Sequence, residues 1–310
     1  MLARVAESVY WMARYLERAE NTARLVHSYN HLIMDIPKGS EPRWTVLVDI
    51  LDARDCYEDF YQRETEANVH KFLLSKIAAP SSIAASTQMA RENLLVAREV
   101  LSEDVWERVN ELHLYVSSKS LDTTTRRSRL KFLHEVSSIC QSITGLLETT
   151  QLRDHAYRFM SIGRLLERSD MTARIVDVGA GDILDREGRF STVDPLLWSV
   201  LLEALSAKSA YWRCHGPIIA KELVVDFSFG SLKFPRSVVS CLHELEIHLT
   251  GLGDSSQVSE KLNQIRVRVN NFRFDPCDRL KLHAFIENLH SELTSLHNLI
   301  SSSWFRMRVQ

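Results

Sequence analysis

Two stretches of the chain decide its fold, because they are nearly the same sequence in two places. Residues 14–26 read RYLERAENTARLV, and residues 164–176 read RLLERSDMTARIV. Eight of the thirteen positions are identical, and the offset between the stretches is 164 − 14 = 150 residues. Self-similarity at a fixed spacing indicates an internal repeat, so the two stretches divide the chain into similar halves.

Further matching segments extend this repeat over nearly the whole chain. WTVLVDIL at 44–51 resembles WSVLLEAL at 198–205, with an offset of 154 residues. PSSI at 80–83 resembles PRSV at 235–238, with an offset of 155 residues. Matches in one order with a nearly constant offset indicate a tandem duplication.

The two halves are predicted to be helical. Apolar residues recur with helical spacing, and turn-forming residues are scarce, with 10 Gly and 7 Pro. We predict an all-α fold of two tandem repeats, residues 1–150 and 151–310, with about six helices each. A pseudo-twofold axis relates the repeats in this prediction, and they pack as one large helical bundle.

A helical wheel of the repeated stretches separates charged from apolar residues. At about 100° per residue, Leu16, Ala19 and Ala23 fall on one side of the first helix, and its charged residues fall on the other. The charged sides carry Arg14, Glu17, Arg18, Glu20 and Arg24 in the first stretch and Arg164, Glu167, Arg168, Asp170 and Arg174 in the second. Glu20–Arg24 and Asp170–Arg174 have the spacing of stabilising pairs within a helix.

These charged stripes allow three interpretations. A solvated helix face with ion pairs is the common one, and each such pair contributes only a few tenths of a kcal/mol. The charged positions match between the halves better than much of the surrounding core, however, which favours a specific role. The stripes then either form a buried Arg-Glu network or line a common cleft, and the sequence does not choose between the two.

Further polar residues are candidates for the same region. Arg91 and Glu92 lie within one predicted helix, and Arg236 lies at the start of the helix that corresponds to it. Arg153 and Asp154 open the second Glu-Arg helix, where an acidic residue suits the helix dipole. Ordinary caps and surface pairs are the alternative for each of them.

Composition and motifs exclude several classes of protein. The formal net charge is −2, so no bulk attraction to nucleic acid or to an acidic membrane is expected. The five cysteines show no CxxC spacing, and no apolar run reaches the roughly 18 residues that span a bilayer. We expect a soluble, cytoplasmic protein that binds neither nucleic acid nor membrane.

No metal or cofactor is predicted. His27 and His31 have metal-ligand spacing, but the second half does not repeat the pair. Glu287-x-x-His290 has the form found in di-iron bundles, yet that chemistry needs two such motifs and two further carboxylates. The heptad spacing of His283, His290 and His297 is more typical of a polar seam along the last helix. Phosphate-binding loops and serine-hydrolase motifs are absent from the sequence.

The repeated stretches resemble the bacterial alpha-E domain family, which takes its name from its helices and a Glu-Arg motif. AESVYWMARYLERAENTARL at 6–25 and GRLLERSDMTARIVDV at 163–178 carry the resemblance, with support from 80–83 and from FPRS at 234–237. Such proteins are typically encoded beside an ATP-grasp-type ligase and a transglutaminase-like cysteine peptidase. The resemblance therefore implies a role in a system that makes or modifies peptides or amides.

Three functional hypotheses follow. In the first, the protein is a helical partner or scaffold of the ligase or peptidase, and its arginines hold the carboxylate or phosphate of a peptide or amino-acid ligand. In the second, it is an enzyme of amide or peptide chemistry, with Glu17 or Glu167 as general base and arginine stabilising an oxyanion. In the third, the Arg-Glu network is purely structural.

Overall fold

The protein is all-α, as predicted. The computed structural model describes residues 1–36, 43–186, 194–253, 256–275 and 278–305, and side chains of 180–186 and 194–195 are not described. Fourteen α-helices and no strand occur in these ranges. They are α1 (Ala3–Asp35), α2 (Val46–Ile50), α3 (Arg54–Phe60), α4 (Glu66–Ser75), α5 (Ile83–Val96), α6 (Glu103–Lys119), α7 (Arg126–Thr150), α8 (His155–Arg186), α9 (Asp194–Ala204), α10 (Lys208–His215), α11 (Lys221–Gly230), α12 (Val238–Thr250), α13 (Ser256–Asn271) and α14 (Arg279–Ile300).

Helices α1 and α8 form the centre of the bundle. They are the longest, with 33 and 32 residues, and they pack along each other. Helices α5, α7 and α9 also contact α1, while α9, α12 and α14 contact α8. The apolar side of α1 is buried as its periodicity predicts, and so are Glu17, Glu20 and Arg24 on the charged side. A helix surrounded by other helices buries all its faces, so its charged residues need partners inside the protein.

One hydrophobic core runs through the bundle. Its buried residues come from both halves, and they include Val9 and Leu16 of α1 together with Ile162 and Leu166 of α8. The predicted boundary at residue 150 falls at the end of α7. Within the described residues, no helix combines the length and apolar character that crossing a bilayer requires.

Each half contains seven helices in the described ranges, one more than the six predicted. The sequence predicts a single helix over about residues 43–62. In the structure this helix is divided at Asp52, which has a left-handed backbone with φ of 50°. Ser206 divides the corresponding helix of the second half with φ of 52°. At both places the next N–H bonds back to a carbonyl five residues earlier, which is the helix-ending arrangement that normally uses glycine. Helix order thus agrees with the duplication, which itself stays a prediction.

For residues 223–229 the sequence predicts a helix or a loop, and in the structure this segment lies within α11.

Helices α5 and α12 begin in the same way, each with a serine cap. The backbone N–H of Ala85 donates to Ser82 Oγ at 3.0 Å, and that of Ser240 donates to Ser237 Oγ at 3.1 Å. Serine caps of this kind satisfy backbone donors at the first helical turn. Residues 81 and 236 therefore lie immediately before a capped helix end.

Close contact between α1 and α8 depends on Gly163. A Cβ atom at this position would overlap the carbonyl oxygen of Tyr10. Glycine lets the two backbones approach where any larger residue would separate them. This contact lies just before the Glu-Arg segment of each helix along the chain.

Candidate functional site

The two glutamates of the repeated motif are buried and are bound by arginines of the opposite helix. Glu17 and Glu167 are each only 3% exposed. Arg168 of α8 donates from Nε and Nη2 to the two carboxylate oxygens of Glu17, at 2.9 and 2.7 Å. Arg18 of α1 donates in the same way to Glu167, at 2.6 and 3.1 Å. The pairs therefore cross between the helices, and each is a two-point guanidinium–carboxylate contact.

A second arginine binds each glutamate. The second arginines of Glu17 and Glu167 do not occupy corresponding positions in the sequence. Arg236, just before α12, donates from Nη1 to Glu17 Oε1 at 2.8 Å. Arg14 of α1 donates from Nε to Glu167 Oε2 at 2.8 Å. Two guanidiniums per carboxylate offset the cost of burying the negative charge.

Around Glu17 the contacts form a group that we call the closed cluster, made of Glu17, Glu20, Asn21, Arg24, Arg168 and Arg236. Arg236 donates to Asn21 Oδ1 at 3.1 Å and to Glu20 Oε1 at 2.8 Å. Arg24 donates to Glu20 Oε1 at 2.8 Å and to the carbonyl of Ala204 at 2.7 Å, and it also bonds Asn21. The cavity beside Glu17 and Glu20 measures only about 20 Å³. Little space is left in this cluster for a ligand.

Around Glu167 lies the open cluster, made of Arg14, Arg18, Asp52, Glu167, Asp170, Arg174 and His290. Asp170 accepts from Arg174 Nε at 2.9 Å and pairs with His290 Nδ1 of α14 at 2.6 Å. Arg174 Nη1 also lies 3.1 Å from Asp52 Oδ2, at the turn between α2 and α3. The predicted pairs within each helix, Glu20–Arg24 and Asp170–Arg174, are present.

A cleft of about 280 Å³ opens beside the open cluster. Its polar lining consists of Arg18, Asp52, Ser81, Glu167, Asp170 and Arg174. The Arg18 and Arg174 side chains are 21% and 24% exposed. Among the described residues, Nη1 of Arg18 and Nη2 of Arg174 have no hydrogen-bond partner. The cleft therefore offers donors that a carboxylate or phosphate can accept from.

The ion pairs keep the buried carboxylates charged. Burial alone would raise the pKa of Glu17, but Arg168 and Arg236 hold it well below its usual range. Arg18 and Arg14 likewise lower the pKa of Glu167 against the effect of burial. A carboxylate with such a low pKa is a weak proton acceptor at neutral pH, since an effective general base has a pKa near the working pH. The two guanidiniums bound to each carboxylate therefore argue against Glu17 or Glu167 as a general base.

The neighbouring charges act on the arginines too. Burial, together with the charge of Arg236, lowers the pKa of Arg24 to about 10. Burial opposes the charged form of Arg168, yet Glu17 raises its pKa above the usual value. Both guanidiniums are thus positively charged at neutral pH.

Five of the predicted site residues lie outside the two clusters. Arg164 and Arg153 donate to Glu148 at 2.6 and 3.0 Å. Arg91 donates to Asn110 of α6 at 2.8 Å, and the exposed Glu92 accepts from Gln88 of its own helix. Asp154 caps α8 by accepting from the N–H of Tyr157, which is the ordinary cap that the sequence left as the alternative for this residue. Arg91 and Glu92 do not approach the Glu-Arg helices, because their side of α5 faces α6.

Sequence reasoning missed the partners that α14 supplies. His283, His290 and His297, predicted as a polar seam, pair with Asp177, Asp170 and Tyr10 respectively. Their heptad spacing was a signal, but the partner helix could not be identified from it. The Glu287-x-x-His290 motif does not act as a unit here: His290 binds Asp170, while Glu287 lies near Asp177 and His283.

Comparison with known protein families finds a match over nearly the whole chain. The sequence profile of a family described as a predicted alpha-helical domain with a conserved ER motif matches residues 1–305. The Glu-Arg dipeptides at 17–18 and 167–168 supply the two carboxylates and the two crossing arginines of the site. No curated protein and no solved structure matches the chain.

Proposed function

The chain belongs to the Alpha-E family, and from this premise we propose that it is a helical partner or scaffold of a peptide- or amide-forming system. Its partners are an ATP-grasp-type ligase, a transglutaminase-like peptidase, or both. The cleft of the open cluster holds a peptide or amino-acid ligand by a carboxylate or phosphate group.

The observation that supports this proposal is the difference between the two clusters. In the closed cluster the arginines bind Glu17, Glu20 and Asn21, as expected for a network with a structural role. In the open cluster Arg18 and Arg174 each keep an N–H group directed to no protein acceptor among the described residues, next to a cleft of about 280 Å³. A purely structural network has no need for such a cleft.

A scaffold is favoured over an enzyme because the glutamates are bound by two guanidiniums each. Their low pKa values suit them to orient arginines rather than to remove a proton. Arg18 is thereby fixed by Glu167 and Arg174 by Asp170, so both donors are held in place before a ligand arrives.

Ligand binding can be tested by isothermal titration calorimetry with N-acetylglycine and inorganic phosphate as probes. Arg174→Gln removes one cleft donor, and Arg153→Gln serves as the matched control because Arg153 is 54% exposed and lies outside the cleft. We expect the probes to bind the wild type and the control, and to bind the Arg174→Gln variant at least about tenfold more weakly. Equal binding by both variants would contradict a site in this cleft.

The partner role can be tested by co-expression with an ATP-grasp-type ligase and a transglutaminase-like peptidase of the same organism. A stable complex on size-exclusion chromatography supports the scaffold. Turnover of substrate by the isolated protein would contradict it and support the enzyme hypothesis.

We also propose the cytoplasm as its compartment. Cys56, Cys140, Cys214 and Cys241 carry free thiols, as is usual in a reducing environment.

A further inference from the structure

Ser81 and Arg236 occupy corresponding places in the two halves. The carbonyl of Ser81 accepts a hydrogen bond from Thr22 of α1 at 3.4 Å, and that of Arg236 accepts one from Thr172 of α8 at 2.8 Å. Each residue directly precedes the serine that caps the next helix. The backbone at residue 81 is therefore related to the open cluster as the backbone at 236 is related to the closed cluster.

In the closed cluster the side chain of Arg236 fills the space between the loop and α1. It is 14% exposed, and its guanidinium donates to Glu17, Glu20 and Asn21. These three acceptors hold a cation that comes from a distant part of the chain. A cluster of this kind can therefore bind a guanidinium group between its two carboxylates and its amide.

In the open cluster the same space is the cleft. The residues 150 positions after Glu17, Glu20 and Asn21 are Glu167, Asp170 and Met171, and all three line it. Ser81 also lines the cleft, and its buried Oγ has no hydrogen-bond partner. A serine is too short to reach the carboxylates, so this half lacks the guanidinium that Arg236 supplies in the other half.

We infer that the cleft binds a guanidinium or primary ammonium group of a ligand, in the position that Arg236 occupies in the other half. The carboxylates of Glu167 and Asp170 accept from this group, and Ser81 lines the same cleft. Arg14 and His290 already bind these carboxylates, so the protein folds without the ligand and can bind it reversibly.

This inference rests on the proposed function and makes the ligand more specific. The carboxylate or phosphate of the ligand lies on Arg18 and Arg174, and its cationic group lies on Glu167 and Asp170. An amino acid or peptide terminus with a basic side chain or a free amine carries both groups. A simple dicarboxylate or phosphate ester carries only one of them.

The test measures the binding of three probes to the full chain by NMR or calorimetry. N-acetylglycine carries only the carboxylate, ethylguanidinium carries only the cation, and L-arginine carries both. We expect ethylguanidinium to bind and L-arginine to bind most tightly. Binding of N-acetylglycine without ethylguanidinium would overturn the inference and leave the proposed function standing. Binding of ethylguanidinium without N-acetylglycine would contradict the carboxylate site of the proposed function and leave the cation site standing. Binding of none of the three probes would refute both.

A variant tests the same inference from the protein side. Ser81→Arg should place a guanidinium on Glu167 and Asp170, raise the Tm and abolish binding of ethylguanidinium. Ser81→Met is the control, since it fills similar space without a charge and should block binding without raising the Tm. A Ser81→Arg protein that is less stable than Ser81→Met, or that still binds ethylguanidinium as the wild type does, would overturn the inference.

Discussion

Glu17 is a buried carboxylate whose charge is matched by Arg168 and Arg236. We expect Glu17→Gln to lower the free energy of unfolding by about 3–5 kcal/mol, because it leaves two guanidiniums buried without their counter-charge. Glu92→Gln is the control, since Glu92 is exposed on α5 and should change stability by no more than about 0.5 kcal/mol. Urea denaturation measures both. Similar values for the two variants would show that the Glu17 contacts contribute little.

The same carboxylates predict how stability depends on pH. The pKa values of Glu17 and Glu167 are lower in the folded protein than the roughly 4.3 expected in the unfolded chain. Their contribution is therefore complete above the unfolded pKa and is lost as the pH falls towards the folded pKa. We expect the Tm to fall below about pH 5. In Glu17→Gln this fall should be shallower, and an unchanged slope would contradict the assignment.

At the residue scale the sequence predicted the charged positions of the two motifs and the pairs within each helix, but not the partners on other helices. The wheel placed Glu17, Arg18, Glu167 and Arg168 on charged stripes, and all four belong to the network. Local spacing cannot show that Arg18 binds Glu167 across the helix contact, because the two residues are 149 positions apart. Arg14 lies one helical turn before Glu17. For the same reason the sequence could not identify Glu167 as the partner of Arg14.

At the scale of helices, the contact of α1 with α8 depends on the absence of a side chain at residue 163. We expect Gly163→Ala to destabilise the protein by about 1–3 kcal/mol, because the new methyl group would overlap the backbone of Tyr10 and push the helices apart. Gly145→Ala is the matched control in α7, where a Cβ meets no atom within 4 Å. It should stabilise by about 0.5–1 kcal/mol through helix propensity. Thermal unfolding measures both, and a neutral Gly163→Ala would argue against tight packing here.

Most helices were predictable, and the exceptions have a physical cause. Long amphipathic segments such as α1, α7 and α8 follow directly from their apolar periodicity. The division of the helix at 43–62 was not predictable, because Asp52 and Ser206 adopt a left-handed backbone that normally signals glycine. The cleft depends on this turn, since Asp52 there forms part of its lining.

At the scale of the whole molecule, the two halves share one core, and α1 is covered on several sides by helices of both halves. We expect a fragment of residues 1–153 not to fold as a monomer, since the α8-facing side of α1, including Glu17, would be exposed. Mixing it with residues 154–310 should restore helicity and a single unfolding transition, as circular dichroism and light scattering can show. A folded monomeric fragment would mean that the halves are independent domains.

The crossed contacts of the two long helices have a consequence for the origin of the chain. Glu17 binds Arg168 while Glu167 binds Arg18, and 168 − 18 and 167 − 17 both equal 150. Such reciprocal exchange is the rule at the interface of a symmetric dimer, where residue i meets j and j meets i. Two separate copies of an ancestral half-length protein would satisfy both glutamates in this way before any gene fusion. Under the predicted duplication, joining the two copies would let each one change alone, and residues 81 and 236 are corresponding positions at which the halves differ.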